Sequence, residues 1–170
     1  MPTPTLHQLL ITDTIRRIYT ESQPRILTCL DKLTDPQIWH RPNPASNSIG
    51  NLVLHLSGNI RQWIIHTLGS APDTRQRQSE FDAQGPIPRQ QLITTLNNTL
   101  AEAKPVIQNL TEQQLLAPYT VQGFNETGTS ILIHIVEHLS YHTGQIAYIT
   151  KAITNNQLDF YDSHDLNHTN

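Results

Sequence analysis

The sequence predicts an all-α protein, a four-helix bundle with a long crossover connection between helices 2 and 3. Two observations favour this class: apolar residues recur at helical spacing over four long stretches, and the alternation typical of strands is hard to find. A third is that Gly, Pro, Asp, Ser and Arg are concentrated in residues 69–88, between the second and third stretches. We therefore expect the bundle to span residues 1–155, followed by a polar C-terminal tail over residues 156–170.

The first half of the chain is predicted to form two long helices. The first covers about residues 6–33, with Pro24 as a kink or a break, because proline lacks the N–H group that a helix interior needs. The second covers about residues 49–68. Asn47 or Ser48 is expected to cap its start, since a side-chain oxygen there accepts a hydrogen bond from the first turn.

The second half is predicted to add two more helices after the crossover, whose length indicates a functional or mobile segment rather than a simple turn. A third helix is expected over about residues 89–110 and a fourth over about residues 129–153. The fourth contains neither Gly nor Pro before Gly144, and Thr127 or Thr129 is expected to cap its start.

Composition and charge exclude several classes of partner. The formal net charge is −3, from 14 acidic and 11 basic residues, so the chain has no basic surface for nucleic acid and no polycationic face for a membrane. Cys29 is the single cysteine, which rules out an intrachain disulfide bond. Because no charged start leads into an apolar run, we expect neither a signal peptide nor a membrane span, and a cytoplasmic location.

Three histidines occupy every fourth position of an otherwise apolar stretch, HIVEHLSYHTGQI, in the fourth predicted helix. Four residues advance an α-helix by about 400°, so His134, His138 and His142 lie in one row on the inward face. Neighbours in the row are roughly 6 Å apart along the axis and can share one metal ion, whereas residues eight apart cannot. Either His134 with His138 or His138 with His142 is therefore a candidate metal-binding pair.

His55 is the best candidate for a third ligand from another helix. It lies mid-helix in NLVLHLSGN, among leucines, where an imidazole without a partner would be costly. A core histidine that is hydrogen-bonded to a carbonyl or a carboxylate is the alternative interpretation. The other histidines are predicted to be surface, structural or, in the tail, solvated residues: His7, His40, His66, His164 and His168.

The segments HLSYHTGQI and LVLHLSGN resemble the DinB-like family of four-helix-bundle metalloproteins, which includes bacterial thiol-dependent transferases. The resemblance covers about residues 6–153, and WHRPNPASNSIGNLVLHLSGN is similar to an uncharacterised branch of that superfamily. It implies a metal site made by His55, His138 and His142, with His134 one turn away as a residue of the surrounding cavity. It also implies zinc or nickel as the metal, and it favours a homodimer.

Three neutral imidazoles would leave the charge of a divalent ion uncompensated, which favours an anionic fourth ligand such as hydroxide or thiolate. With the resemblance, this predicts a metal-dependent enzyme with a small-molecule substrate, a thiol S-transferase that activates a low-molecular-weight thiol. A metal-assisted hydrolase, a non-catalytic metal-binding helical bundle and a helical interaction module without metal are the alternatives. A fourth protein ligand, for which Cys29 is a candidate, would favour a structural role.

Several other polar residues are candidates for supporting roles. Asn51, Asn59 and Gln145 each lie about one turn from a predicted ligand and could orient it or a bound water. Glu137 points about 100° away from His138 and is expected to be solvated or to pack between helices. Four arginines in or beside the loops are candidates for binding a carboxylate of the thiol: Arg41, Arg75, Arg77 and Arg89.

Overall fold

A computed structural model describes residues 3–161, 165 and 167 of the 170-residue chain. Within these residues it contains seven helices and one two-stranded sheet, so the predicted all-α class is confirmed apart from a short hairpin. No helix in this part of the chain combines the length and the hydropathy needed to span a bilayer. The elements in chain order are α1 (Leu6–Arg16, π-helical Arg17–Ser22 and Gln23–Asp31), α2 (Asp35–Ile38), α3 (Ile49–Ile60 and π-helical Arg61–Leu68), α4 (Arg77–Asp82), α5 (Arg89–Gln108), α6 (Glu112–Leu116), β1 (Pro118–Val121), β2 (Phe124–Thr127) and α7 (Gly128–Thr154).

Helix α1 is continuous through Pro24, although its geometry changes just before this residue. The turn Arg17–Ser22 is π-helical, and the N–H group of Gln23 donates to the carbonyl of Ile18. A proline ring clashes with the carbonyl four residues before it and has no N–H group to donate, so a widened turn relieves the conflict without breaking the helix. The predicted kink or break is thus a local widening, and the helix ends at Asp31, slightly earlier than predicted.

Helices α1, α3, α5 and α7 form the predicted four-helix bundle. Both α1 and α3 pack against α5 and α7, so each long helix contributes one apolar face to a shared interior. Burying one large aliphatic side chain contributes roughly 1.5–3 kcal/mol, which makes this interior the main source of stability. The side chains of α3 represent it well, because water is almost fully excluded from Ile49, Val53, Leu56, Ile60 and Ile64.

The structure decides between the predicted helix caps. Ser48 begins α3, and its hydroxyl accepts a hydrogen bond from the N–H group of Asn51. Thr127 begins α7 and accepts from the N–H group of Ser130. Asn155 ends α7 in the left-handed conformation, with a φ of 53°. These caps fix the start of both helices that carry the candidate metal ligands.

The crossover between α3 and α5 is folded against the bundle. It contains helix α4, which packs against α3. The buried amide of Asn51 donates to the carbonyls of Glu80 and Ala83, at 2.9 and 2.8 Å. The guanidinium of Arg41 donates to the carbonyl of Phe81 at 2.6 Å. These bonds satisfy the carbonyls of an irregular segment and hold α4 beside α3.

Strands β1 and β2 are absent from the predicted element order. They form an antiparallel hairpin in which Val121 pairs with Phe124 across the turn Gln122-Gly123. Both turn residues have positive φ angles, 50° and 82°, as tight hairpin turns require. Strands of 4 residues are too short for alternation to be recognised, and Gln-Gly is a weaker turn signal than Asn-Gly.

The first residues of the predicted polar tail pack against the bundle. Leu158 belongs to the core and is 6% exposed. The guanidinium of Arg25 donates to the hydroxyl of Tyr161 at 3.1 Å and lies 5.1 Å from the centre of its ring. The segment predicted as a polar tail is therefore attached to the bundle at Leu158 and Tyr161. His164 and His168 are outside the residues that the structure describes.

Candidate metal centre

The bundle interior brings together the three predicted metal ligands. His55 lies in the middle of α3, and His138 and His142 lie one turn apart on α7. The Nε2 atom of His138 is 3.1 Å from Nε2 of His55 and 3.2 Å from Nε2 of His142. All three ligand atoms lie within 4.8 Å of one another. Of the two α7 pairs that the spacing left open, it is His138 and His142 that the structure brings together with His55.

The positions of these nitrogens fit a tetrahedral metal ion. Metal–nitrogen distances of about 2.0–2.1 Å place two ligand nitrogens of a tetrahedral site about 3.3 Å apart. Two of the three separations, 3.1 and 3.2 Å, are close to this value, and the third pair of ligand atoms lies within 4.8 Å. Among the described residues the cluster consists of these three histidines, which would supply three ligands to a metal ion and leave one tetrahedral position for another molecule.

Hydrogen bonds on the far side of two rings set the tautomers that metal binding requires. Nδ1 of His55 lies 2.9 Å from Oε2 of Glu80, and Nδ1 of His142 lies 2.7 Å from Oε1 of Gln145. Nη2 of Arg75 also lies 3.3 Å from Nδ1 of His55, but the carboxylate of Glu80 is closer and accepts. Each Nδ1 therefore donates its proton and each of these two Nε2 atoms presents a lone pair to the centre. The lone pairs of His55 and His142 converge on Nε2 of His138, at the distances that a shared metal ion would give. The donor set therefore fits a divalent transition metal.

A buried ion pair from the crossover supports His55. The carboxylate of Glu80 accepts hydrogen bonds from Nε of Arg75 at 2.7 Å and from its Nη2 at 2.9 Å. The side chains of Arg75 and Glu80 are 2% and 9% exposed. Burial alone would raise the pKa of the Glu80 carboxyl, but the hydrogen bonds from Arg75 and His55 outweigh burial, and the pKa is lowered. Glu80 is therefore ionised and attracts the Nδ1 proton of His55.

Glu80 is a site residue that the sequence pattern does not reveal. It lies 25 positions from His55, in a segment without regular periodicity, where a lone glutamate is usually solvated. The length of the crossover predicted that this segment has a function, but it did not indicate which of its residues is involved. Arg75, predicted as a carboxylate-binding residue, does bind a carboxylate, but that of Glu80.

The imidazoles on α7 are held in their neutral form. Burial, and after it the neighbouring imidazoles of His142 and His55, lower the pKa of His138 to about 3. Burial also lowers the pKa of His142, against the opposing effect of its bond to Gln145. Among the described residues, Nδ1 of His138 has no hydrogen-bond partner. Packing positions this ring instead, with its centre 4.5 Å from that of His142 and 5.3 Å from that of His134.

His134 lies beside the cluster without joining it. Its ring stacks on that of Trp63, with centres 3.8 Å apart and planes inclined by 19°. Burial lowers its pKa, and its buried Nε2 has no hydrogen-bond partner in the described part of the chain. Trp63 is fixed in turn by the hairpin, since its Nε1 donates to Oε1 of Gln122 at 2.9 Å. His134 thus packs between the hairpin side of the bundle and His138.

A cavity of about 630 Å³ opens near His142, although neither this ring nor the other two candidate ligands lines it. Gln145 connects the two, because its Oε1 accepts from Nδ1 of His142 and its side chain lines the cavity. Two largely exposed tyrosines of α7, Tyr141 and Tyr148, form another part of the wall. None of the lining side chains is charged. The cavity has the size of a small-ligand site and suits an uncharged group.

Comparison with known proteins relates this geometry to a family. A family described as "Protein of unknown function (DUF1572)" matches residues 10–162, which is most of the chain. The chain belongs to the DUF1572 family. A search of curated proteins found no match.

Solved structures share the fold of this DUF1572 chain at low sequence identity. A conserved protein from Enterococcus faecalis matches with a TM-score of 0.69 and 17% identity, over 91% of this chain and 100% of that one. A DinB-like protein from Bacillus subtilis matches with a TM-score of 0.66 and 17% identity, over 90% and 96%. A DinB-like protein from Bacillus cereus matches with a TM-score of 0.64 and 17% identity, over 79% and 87%. The predicted DinB-like fold is confirmed.

The polar residues of the DUF1572 chain that were predicted to support the site do not all lie beside the candidate ligands. Gln145 orients a candidate ligand, as predicted. Asn51 instead holds the crossover, and Oδ1 of Asn59 is buried without a hydrogen-bond partner among the described residues. Glu137 is exposed, as predicted. Cys29 is buried outside the cluster, and burial raises the pKa of its thiol, which argues against Cys29 as a fourth ligand.

Three of the four predicted arginines form hydrogen bonds within the protein. Arg41 and Arg75 bind groups of the crossover, and Arg89 donates to backbone carbonyls at the end of α1. The exposed Arg77 lies over the ring of Phe81 at 4.8 Å, and Phe81 contacts the ring of His55. Among these four arginines, Arg77 therefore combines a solvent-exposed charge with a position near the candidate centre.

The described histidines other than His55 and the row on α7 have structural or surface positions, as predicted. Nε2 of His7 is hydrogen-bonded to the carbonyl of Leu110 at 2.6 Å. Nδ1 of His66 is bonded to the carbonyl of Ala71. His40 is exposed to solvent. None of the three belongs to the metal-ligand cluster.

Proposed function

We propose that this protein is a metal-dependent enzyme that acts on a small molecule, with a divalent transition metal held by His55, His138 and His142. The observation that carries the proposal is the convergence of three Nε2 atoms, two of which are oriented by hydrogen bonds at the opposite ring nitrogen. Structural zinc sites are usually closed by four protein ligands, whereas catalytic sites keep one position open. Three ligands in the described chain therefore favour catalysis over a purely structural role.

The charge around the candidate centre supports a thiol S-transferase. A bound zinc or nickel ion would lower the pKa of a thiol or a water in the open position, which supplies a nucleophile at neutral pH. Imidazoles that bind a metal do so as neutral ligands and would not cancel the positive charge of such an ion. Glu80 does not cancel it either, because Arg75 balances the carboxylate. An anionic ligand such as the thiolate of a low-molecular-weight thiol is therefore favoured.

The cavity next to His142 is proposed to receive the small-molecule substrate. Its walls offer amide, hydroxyl and aromatic groups, from residues that include Gln145 and Tyr141, and they carry no charge. This composition suits the uncharged electrophile better than the thiol. A carboxylate on the thiol would be bound by Arg77, whose guanidinium lies over the ring of Phe81, which in turn contacts the ring of His55.

The proposal is tested by loading untagged protein with zinc or nickel and assaying it against the common bacterial low-molecular-weight thiols and an aryl halide electrophile. Metal-dependent transfer that is lost in His138→Ala supports the proposal. Hydrolysis of a test ester without thiol transfer would instead support the metal-assisted hydrolase. Metal that binds stoichiometrically without any turnover would contradict the proposed enzyme and leave the non-catalytic metal-binding bundle.

We also propose that the chain forms a homodimer through the exposed face of α7, in which the partner subunit would cover the outer edge of the cavity, because Tyr141 and Tyr148 belong to both surfaces. The large apolar side chains of this face, with their exposed fractions, are Ile133 (52%), Tyr141 (64%) and Tyr148 (73%). Glu137 and Lys151 lie on the same face, at equal distances before and after Gly144. In antiparallel pairing about Gly144, Glu137 would therefore face Lys151 of the partner subunit. Sedimentation should show a dimer that Glu137→Lys weakens and the added Lys151→Glu restores, and a monomeric wild type would contradict it.

A further inference from the structure

We propose that metal binding at the candidate centre is coupled to docking of the crossover segment (residues 69–88) through the carboxylate of Glu80. In this account Glu80 is a positioning residue, which acts on the metal through the ring of His55. The proposal rests on the metal site of the proposed function, but it does not depend on which reaction the site performs.

Both oxygens of Glu80 are already engaged. Oε1 accepts from Nε of Arg75 at 2.7 Å, and Oε2 accepts from Nη2 of Arg75 and from Nδ1 of His55, each at 2.9 Å. The side chain of Glu80 is 9% exposed, so its oxygens do not face bulk solvent. These contacts argue against Glu80 as a general base and favour its role in orienting the His55 ring. A carboxylate in this position also makes the opposite ring nitrogen a stronger metal ligand.

The ion pair belongs to the crossover segment and attaches it to α3. Arg75 and Glu80 are only five positions apart, so the pair remains intact if the segment moves as a unit. Its hydrogen bonds to α3 go to Nδ1 of His55 and, through Nη1 of Arg75 at 2.9 Å, to Oε1 of Gln62. Undocking would break both bonds and leave the ring of His55 without its acceptor. The orientation of one metal ligand therefore depends on whether the segment is docked.

Gly58 provides the space that this attachment needs. It lies three residues after His55 on α3, one turn further along the helix. A Cβ atom at this position would lie 2.8 Å from Cδ of Glu80 and 3.0 Å from Nε of Arg75. The ion pair therefore rests directly on the α3 backbone, at a place where any side chain would displace it. This contact is independent of the hydrogen bond to His55 and indicates that the segment docks here specifically.

Thermodynamic linkage makes the coupling reciprocal. If docked Glu80 raises the metal affinity by some factor, bound metal must favour the docked segment by the same factor. Groups that hydrogen-bond to a metal ligand typically change metal affinity by about 10–100-fold. Asn51 and Arg41 also hold the segment against α3, and their bonds do not involve a metal ligand. The segment is therefore expected to be docked in the metal-free protein as well, and bound metal should make its opening rarer.

Hydrogen–deuterium exchange on the full chain, with and without zinc, tests this proposal. Zinc should slow exchange of backbone amides over residues 75–83 by about 10–100-fold. Glu80→Gln should remove most of this protection and weaken zinc affinity, measured by competition with a chelator, by a similar factor. The same variant should change the visible spectrum of the cobalt-loaded protein, a readout that a merely structural role of Glu80 would leave unchanged.

Glu21→Gln is the matched control, because Glu21 forms an ion pair with Arg16 within α1, a helix that carries no candidate ligand. It should leave zinc affinity, exchange and spectrum at wild-type values. His138→Ala keeps the ion pair but removes a ligand, so zinc should no longer protect the segment. Zinc binding in the wild type without protection of residues 75–83, or unchanged zinc affinity in Glu80→Gln, would overturn the coupling alone. Failure of the wild type to bind zinc or nickel would overturn both the coupling and the metal site, and absent turnover would overturn only the proposed enzyme.

Discussion

The two sides of the candidate metal centre are specified in different ways. On α7, His138 and His142 are brought together by helix geometry alone, since residues four apart lie on one face. On α3, the orientation of His55 depends on Glu80, which arrives from a distant part of the chain. The first arrangement is visible in a sequence, and the second exists only in the tertiary structure. The identity of a metal ligand can thus be local information while its orientation is not.

The largest expected loss of metal binding comes from replacing His138, whose Nε2 lies close to the ligand atoms of both other histidines. His138→Ala removes the nitrogen that lies 3.1 and 3.2 Å from the other two, so the remaining pair cannot hold the ion tightly. We expect elemental analysis of the untagged variant to show less than stoichiometric metal under conditions that load the wild type.

His134→Ala is the matched control for this loss, because it removes a neighbouring imidazole of the same row that does not join the cluster. It should retain stoichiometric metal, although it loses the stacking contact with Trp63 and is less stable. If His134→Ala lost the ion while His138→Ala kept it, the assignment of the α7 pair would be wrong.

The second largest effect is expected on α3, where the orientation of His55 depends on contacts with the crossover segment. Gly58→Ala places a methyl group against Glu80 and Arg75, and overpacking of this kind costs about 1–3 kcal/mol of unfolding free energy. Metal affinity should fall as well. Chemical denaturation at low protein concentration measures the first quantity, and chelator competition measures the second.

Gly144→Ala is the corresponding substitution on α7, the other helix that carries candidate ligands. A Cβ atom at Gly144 meets nothing within 4 Å, and alanine is a better helix former by up to about 1 kcal/mol. We expect this variant to be slightly more stable and to bind metal as the wild type does. Equal destabilisation by the two substitutions would remove the proposed difference between the two sides.

A smaller effect is expected where a ligand is oriented from its own helix. Gln145→Ala removes the acceptor for Nδ1 of His142, but this group is half-buried beside a cavity, where water can replace the amide oxygen. Zinc affinity should therefore fall by about 10-fold or less, below the effect of Glu80→Gln. A larger loss in Gln145→Ala than in Glu80→Gln, measured by the same chelator competition, would reverse the comparison.

The smallest effect tests the local origin of α7. Thr127→Ala removes the cap that accepts from the N–H group of Ser130, which should cost about 1 kcal/mol of unfolding free energy without changing metal affinity. Thr94→Ala is the control, because Thr94 is an exposed residue inside α5 whose hydroxyl bonds only within its own helix. Thermal denaturation should show a lower midpoint for the first variant and no decrease for the second.

Much of the fold follows from local sequence patterns. The predicted second helix, residues 49–68, has the observed extent of α3, and α7 exceeds its predicted range by one residue at each end. Alternative caps, such as Asn47 and Ser48, required the structure, because both residue types accept the same hydrogen bond. The hairpin was missed since its strands are short, and Pro24 was overrated as a breaker because a π-helical turn accommodates it.

The candidate site was predictable only in part. The histidine row could be recognised because its period matches the helix, but the spacing left two pairs open, and the resemblance to DinB-like proteins was needed to prefer His142 over His134. Glu80 and Gly58 could not be recognised, because their roles depend on where the crossover lies against α3. Arg75 was recognised as a residue that binds a carboxylate, but its partner is internal.

The central claim is that one metal ion lies between α3 and α7, bound by three imidazoles. The most direct test is a crystal structure of the untagged protein with zinc, with anomalous scattering measured at the zinc absorption edge. We expect a single strong peak at about 2.0–2.1 Å from Nε2 of His55, His138 and His142. A zinc peak elsewhere, or the absence of a peak between these three nitrogens in zinc-loaded crystals, would contradict the account.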